Sequence, residues 1–245
     1  MADRVCLYAL VAGAAGPLTV SGISGERLRV VRIEGIDAVI GMMPRVPAAT
    51  SARMRRYDEV ERALTEIYGS VLPARYGTCA ATVRDLAPSV RDRRAAIRRN
   101  LRLVRGRTQM TLRLFTRSES VSNQPRVRSE SVSNQPRVSS EPVRSRFRVG
   151  SECGDGATQG TQYLRRRMAE TQIPGSAPLR AAVARWVRAE RMERVARGRL
   201  AGSIYHLIPR GSVAAYRRAM ERAATDGDVK VIISGPWPPY AFASE

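Results

Sequence analysis

Apolar residues run almost unbroken through residues 4–11, "RVCLYALV", and stop at the small-residue segment "GAAGP". A run of that length bounded by glycine and proline predicts a buried strand. Two more strands follow, "ERLRVVRI" over residues 26–33 and "IDAVIGMM" over 36–43, with a turn at Gly35 between them and a stop at Pro44 and Pro47. The period then changes. Met54, Tyr57, Val60, Leu64, Ile67 and Tyr68 recur at spacings of three and four, while Arg55, Asp58, Glu59, Arg62 and Glu66 fill the other face. That spacing predicts an amphipathic helix capped by Thr50 or Ser51 and closed by Gly69. "SVLPARYGT" reads as a short extended piece interrupted by Pro73 and Gly77, and residues 83–104 as a second helix with Pro88 near its start. In "GRTQMTLRLF", Met110, Leu112 and Leu114 alternate with Gln109, Thr111 and Arg113, the pattern of a half-buried strand.

Patterning is lost after residue 116. Residues 118–128 read "SESVSNQPRVR" and residues 129–139 read "SESVSNQPRVS", an 11-residue duplication that differs only at its last position. An 11-residue helical repeat would wind a right-handed supercoil, but an internal proline and serine-rich flanks leave this unit no apolar seam. Residues 117–160 are expected to be a disordered, Ser/Arg-rich linker or insertion. Order resumes with a short helix at 161–170. A longer helix is expected over 176–200, capped by Ser176, with Leu179, Val183, Trp186, Val187 and Met192 facing inward. The strand "SIYHLIP", a helix from Ser212 to Gly227 and the strand "VKVIIS" complete a β-α-β close. The fold class is α+β: two small domains, residues 1–116 and 161–245, joined by the low-complexity insertion 117–160.

Composition bounds the partners. The chain of 245 residues carries a formal net charge of +20, nearly all arginine, since Lys230 is the only lysine. Guanidinium forks suit carboxylates, phosphates and base planes, so an acidic partner or nucleic acid enters consideration beside simple codon bias. Cys6, Cys79 and Cys153 are odd in number and widely spaced, which indicates neither a disulfide framework nor a zinc site and suggests reduced thiols in the cytoplasm. The N-terminal apolar run is shorter than a signal peptide requires. No window approaches the roughly 20 apolar residues of a membrane span, so no membrane association is expected.

The sequence offers no catalytic constellation. His206 is the only histidine and lies within a strand, where packing explains it better than catalysis. Neither a nucleophile with a base partner, nor a phosphate loop, nor a metal-ligand cluster can be assembled. No catalytic residue, metal, cofactor or small-molecule substrate is expected. "RDRRAAIRRNLRLVRGR" over 91–107 makes an arginine-driven nucleic-acid-binding protein the alternative reading, although no interleaved aromatic platform or recognition motif accompanies it.

Three blocks carry a family resemblance. They are "VLPARYGT" behind the helix "YDEVERAL", the pair "GRTQMTLRLF" and "GTQYLRRR", and the terminal "SGPWPPYAFA". In this order the chain resembles the gas vesicle protein L/F family (GvpL/GvpF) everywhere outside the repeat. It departs from the family pattern at Tyr57 (often histidine), at Gln109 (usually glutamate) and in its long insertion. The resemblance implies a C-terminal domain with a modified ferredoxin-like fold. It also implies a non-enzymatic accessory or minor structural protein of the cytoplasm and gas vesicle, binding the main shell protein and other vesicle accessory proteins. Its motif residues, the candidate interaction residues, are Leu72, Pro73, Arg75, Tyr76, Gly77, Thr78, Tyr163 and Leu164 with Gly235, Pro236, Trp237, Pro238, Pro239, Tyr240 and Phe242. Arg75 is expected either to tie the helix end to the sheet or to meet a partner. The three tail prolines stiffen an extended segment, and Trp237, Tyr240 and Phe242 each contribute about 1.5–3 kcal/mol when covered, so the tail is expected to dock at the edge of the C-terminal sheet rather than to contact the shell protein.

Overall fold

The structure is a computed structural model that describes residues 3–13, 18–116, 173–225 and 229–243. The apolar run at the N-terminus forms β1 (Arg4–Ala12), which lies inside a sheet with β2 (Leu28–Ile33), β3 (Ile36–Met43) and β4 (Ser70–Pro73) in the order β2-β3-β1-β4. A two-residue strand, β5 (Cys79–Ala80), adds to β1. Alternation along β3 explains why both faces are covered. Ala38 and Ile40 point into one core, and Val39 between them points into another. Helix α1 (Ser51–Ile67) covers the Val39 face with Tyr57, Val60 and Leu64, as its periodicity predicts. Thr50 is its cap, accepting from Arg53 N at 3.3 Å. In β1 the register slips between Leu7 and Ala9, so Tyr8 and Ala9, adjacent in sequence, both turn toward α1.

The second predicted helix is two. Helix α2 (Val83–Asp92) and α3 (Arg94–Val104) meet at Arg93, and both lay apolar residues on the Ile40 face through Leu86, Val90, Ile97 and Leu101. Pro88 stands inside α2 rather than near the start of a longer helix. The entry is fixed earlier by a capping box, in which Thr82 N donates to Asp85 Oδ2 at 2.8 Å. That box offsets the hydrogen bond that Pro88 cannot make.

Strand β6 (Arg107–Thr116) belongs to a second sheet with β7 (Ala189–Arg197), β8 (Leu200–Pro209) and β9 (Val229–Trp237), ordered β7-β8-β6-β9 and antiparallel throughout. The partition at residue 116 therefore follows the low-complexity segment, while β6 belongs by its hydrogen bonds with the strands beyond it. Helices α4 (Ser176–Val183) and α5 (Val213–Thr225) touch each other over one face of this sheet, where Met110, Leu112 and Leu114 meet Leu179, Val183, Tyr216 and Met220. Ser212, the expected cap of α5, lies in the 3-10 turn Arg210–Ser212 that leads into it. Among the described residues the order β6-α4-β7-β8-α5-β9 is that of a split β-α-β-β-α-β unit.

The long helix expected over 176–200 is corrected. The helix ends at Val183, and "AERMERVAR" is the edge strand β7. Local composition rich in Ala, Arg, Glu and Met favours helix, but pairing with β8 from Ala189↔Leu207 onward satisfies this backbone instead. Its alternation also finds partners on both faces: Glu190 meets His206, and Glu193 accepts from the Tyr205 hydroxyl at 2.9 Å. The short helix expected at 161–170, the repeat, Cys153 and the stop at Gly227 lie outside the described residues.

The cysteine expectation is also corrected. Cys6 and Cys79 stand opposite each other on β1 and β5 and form a disulfide. Their separation of 73 residues gave no signal, because the pairing depends on a strand contact that spacing does not encode.

Candidate functional site

The loop after β4 is held from below by α1. Tyr57 donates its hydroxyl to Ala74 O at 2.7 Å and lies 3.1 Å from Tyr8 O, on the bulge of β1. Tyr76 packs edge-on against the Tyr57 ring, 5.3 Å between centroids, and donates to Ala48 O at 3.0 Å. Gly77, at φ +78°, lets the chain reverse so that Thr78 N and Oγ1 both return to Arg75 O, at 3.1 and 2.7 Å. Leu72 and Pro73 are buried as β4. Arg75 does not tie the helix end to the sheet. Its side chain is exposed, and among the described residues its guanidinium has no hydrogen bond or ion pair.

The tail is docked. Beyond a β-bulge at Gly235 and Pro236, Trp237 pairs with Gln109, accepts a hydrogen bond at its carbonyl from Thr108 Oγ1 at 3.0 Å, and lies under the Arg62 guanidinium at 4.4 Å. Pro238 and Pro239 are buried. Tyr240 donates to Asp58 Oδ1 at 3.1 Å, Ala241 N to Gln109 Oε1 at 2.8 Å, and Phe242 is 2% exposed in the core beneath α2 and α3. Asp58 and Arg62, predicted as solvent-facing residues of α1, thus hold the tail.

These two segments, more than 150 residues apart, meet at an open groove of about 810 Å³. Leu7, Leu10, Leu72, Val90, Ile97 and Tyr240 give it an apolar lining; Arg75 and Arg93 supply its charge. Arg93 also donates to Ala243 O at 3.4 Å, fixing the end of the tail along the groove. Of the expected interaction residues, Leu72, Pro73, Arg75, Thr78 and Tyr240 line it; Tyr76 and Gly77 shape its loop from behind, and Trp237 lies elsewhere. Tyr163 and Leu164 are outside the described residues.

Sequence reasoning missed Glu61. It sits on the apolar face of α1, four residues after Tyr57 and three before Leu64, which was the available signal. It is fully buried, and neither carboxyl oxygen has a hydrogen-bond partner, because the nearby Tyr57 hydroxyl is committed to Ala74 O. Burial pushes its carboxyl well above the ordinary carboxylate range, Tyr57 opposing and Asp58 adding to the rise. The native state therefore keeps this proton at pH values where the unfolded chain has released it, and stability falls as pH rises through that window. Glu61→Leu is expected to gain about 1–3 kcal/mol at neutral pH and to flatten the pH dependence. Urea denaturation across the acidic-to-neutral range measures both; an equally steep slope in the variant would refute the assignment.

His206 is packed, as its strand position predicts. Fully buried, it places Nδ1 2.7 Å from the Tyr216 hydroxyl and Nε2 2.8 Å from Glu190, which also pairs with Arg180 at 2.7 Å. Burial lowers the His206 pKa against the pull of Glu190. Burial alone would raise Glu190, but its bonds to Arg180 and His206 outweigh that and leave it lowered. Among the described residues, no three His, Cys, Asp or Glu side chains group as metal ligands, and no helix is long and apolar enough to cross a membrane.

Two antiparallel sheets, helices on each, and a proline-aromatic tail closing a groove define a mixed α+β protein built around a docked C-terminus. The chain belongs to the gas vesicle synthesis protein GvpL/GvpF family, whose model matches residues 5–244. Among solved structures it is similar to the gas vesicle protein GvpF from Anabaena sp. PCC7120, with a TM-score of 0.68 and 12% identity over 100% of this chain and 97% of that one. GvpF from Microcystis aeruginosa gives a TM-score of 0.64 and 12% identity over 99% of both chains. At such identity the likeness establishes the fold. No curated protein matches the sequence.

Proposed function

We propose that this protein is a non-enzymatic accessory or minor structural protein of gas vesicles, working in the cytoplasm and at the vesicle. It binds the main shell protein and other accessory proteins during assembly. The observation that carries the reading is the groove where the "VLPARYGT" loop and the tail converge. Its occupant is an apolar segment of the shell subunit. The lining would shelter that segment from water while Arg75 and Arg93 engage carboxylates beside it. No substrate or cofactor enters this reading. A modified ferredoxin-like fold for the C-terminal part is supported by the β-α-β-β-α-β order of the second sheet.

The test is capture of the purified main shell protein by the wild type and by Arg75→Glu. Arg75 is exposed and makes no contact that folding needs, so the variant is expected to melt normally. Its affinity for the shell protein should fall at least about tenfold, equivalent to 1.4 kcal/mol. Equal capture by both proteins would remove the groove from the interaction.

A further inference from the structure

A second recess lies apart from the groove and shares no lining residue with it. About 420 Å³ in volume, it is walled by Arg32 from β2 and by Arg98, Arg102 and Arg105 from α3 and its end. Val11, Ile36 and Leu101 give it an apolar floor. Positions 98, 102 and 105 are four and three residues apart, so the three guanidinium groups share one face of the helix. Like charges at that spacing repel. The negative end of the α3 dipole rewards a cation in the last turn, such as Arg102. It gives no reason for Arg98 and Arg32 to gather there as well.

The counter-charge is insufficient. Among the described residues Asp37 is the only acidic one in the lining, and it pairs with Arg32 at a loose 3.8 Å with both side chains open to water. Among the described residues Arg98, Arg102 and Arg105 have no hydrogen bond or ion pair. Nor does the backbone block the recess. Gly35, at φ +73°, forms part of its wall, and the Arg98 Nη2 lies 3.2 Å from where a side-chain Cβ would stand on it.

We infer that this recess binds an acidic peptide segment of a partner protein, with glutamate or aspartate carboxylates on the arginines and hydrocarbon on the Val11–Ile36–Leu101 floor. Two features select a peptide over nucleic acid. Among the described residues the lining contains no aromatic ring on which a base could stack. The floor is apolar, as suits side-chain methylenes rather than a sugar-phosphate track. The recess is a binding surface additional to the proposed shell-protein groove and does not depend on it.

The experiment uses the full chain and two fluorescein-labelled probes of equal length, a peptide of alternating Glu and Leu and an oligothymidylate, read by anisotropy. Binding of the peptide is expected to weaken with added salt. It should fall at least about tenfold in Arg98→Glu/Arg102→Glu, while Arg75→Glu leaves it unchanged. Arg98→Gln/Arg102→Gln provides the control for folding, with an intermediate loss and an unaltered thermal melt. Unchanged peptide affinity in the charge-reversed variant would overturn the inference. So would tighter binding of the oligothymidylate that is lost in the same variant, which would make the recess a nucleic-acid surface.

Discussion

Phe242→Ala is expected to lower the stability of the protein by about 3–5 kcal/mol, the usual cost of truncating a buried aromatic residue. Only 2% of Phe242 remains exposed; it shares a core with Leu72, Leu86, Val90 and Leu207, drawn from three different elements. The turn that carries it is fixed on both sides, by Phe242 N to Pro239 O at 3.0 Å and by Ala241 N to Gln109 Oε1 at 2.8 Å. The cavity therefore has little backbone freedom with which to collapse. Trp237 is larger but only partly buried, so Trp237→Ala should cost less than Phe242→Ala despite removing more atoms. Guanidinium denaturation of both variants gives the comparison. A Phe242→Ala protein as stable as the wild type would mean that the tail is not docked.

Gly235→Ala is expected to cost about 2–6 kcal/mol, combining backbone strain of about 1–3 kcal/mol with overpacking of about 1–3 kcal/mol. Gly235 has φ +114°, and a Cβ there would stand 2.7 Å from Gln109 O, 3.1 Å from Trp237 Cδ1 and 3.2 Å from Met110 Sδ. The first of these contacts is with backbone and cannot rotate away. Its carbonyl accepts from the Arg217 guanidinium, so a shift of the bulge would also disturb the link to α5. The same denaturation experiment measures it. Should the variant retain full stability, the bulge would have to be adaptable and the tail's path set by something other than Gly235.

Much of the architecture was legible because it depends on local period. The three- and four-residue spacing of Tyr57, Val60 and Leu64 placed α1 on its sheet, and strict alternation through Met110, Leu112 and Leu114 gave β6. The tail was legible for a different reason. Three prolines and three aromatics within a few residues cannot remain solvated cheaply, so burial against its own chain followed from composition. Asp58 and Arg62 show the limit of the same pattern. Periodicity assigned them to solvent, but it could not see that a segment from the far end of the chain would lie across them.

By itself, then, the sequence determined the α+β class, the order of most elements, the family blocks and the docking of the C-terminus. Tertiary structure alone decided that residues 189–197 form a strand, because the partner β8 offers hydrogen bonds that outweigh a local preference for helix. It also decided the Cys6–Cys79 disulfide, the burial of Glu61 without a partner, and the meeting of Arg75 with the tail in one groove. The physical reason is common to all four. Each depends on contacts between residues far apart in the chain, and the hydrophobic period reports only how a residue faces within its own helix or strand.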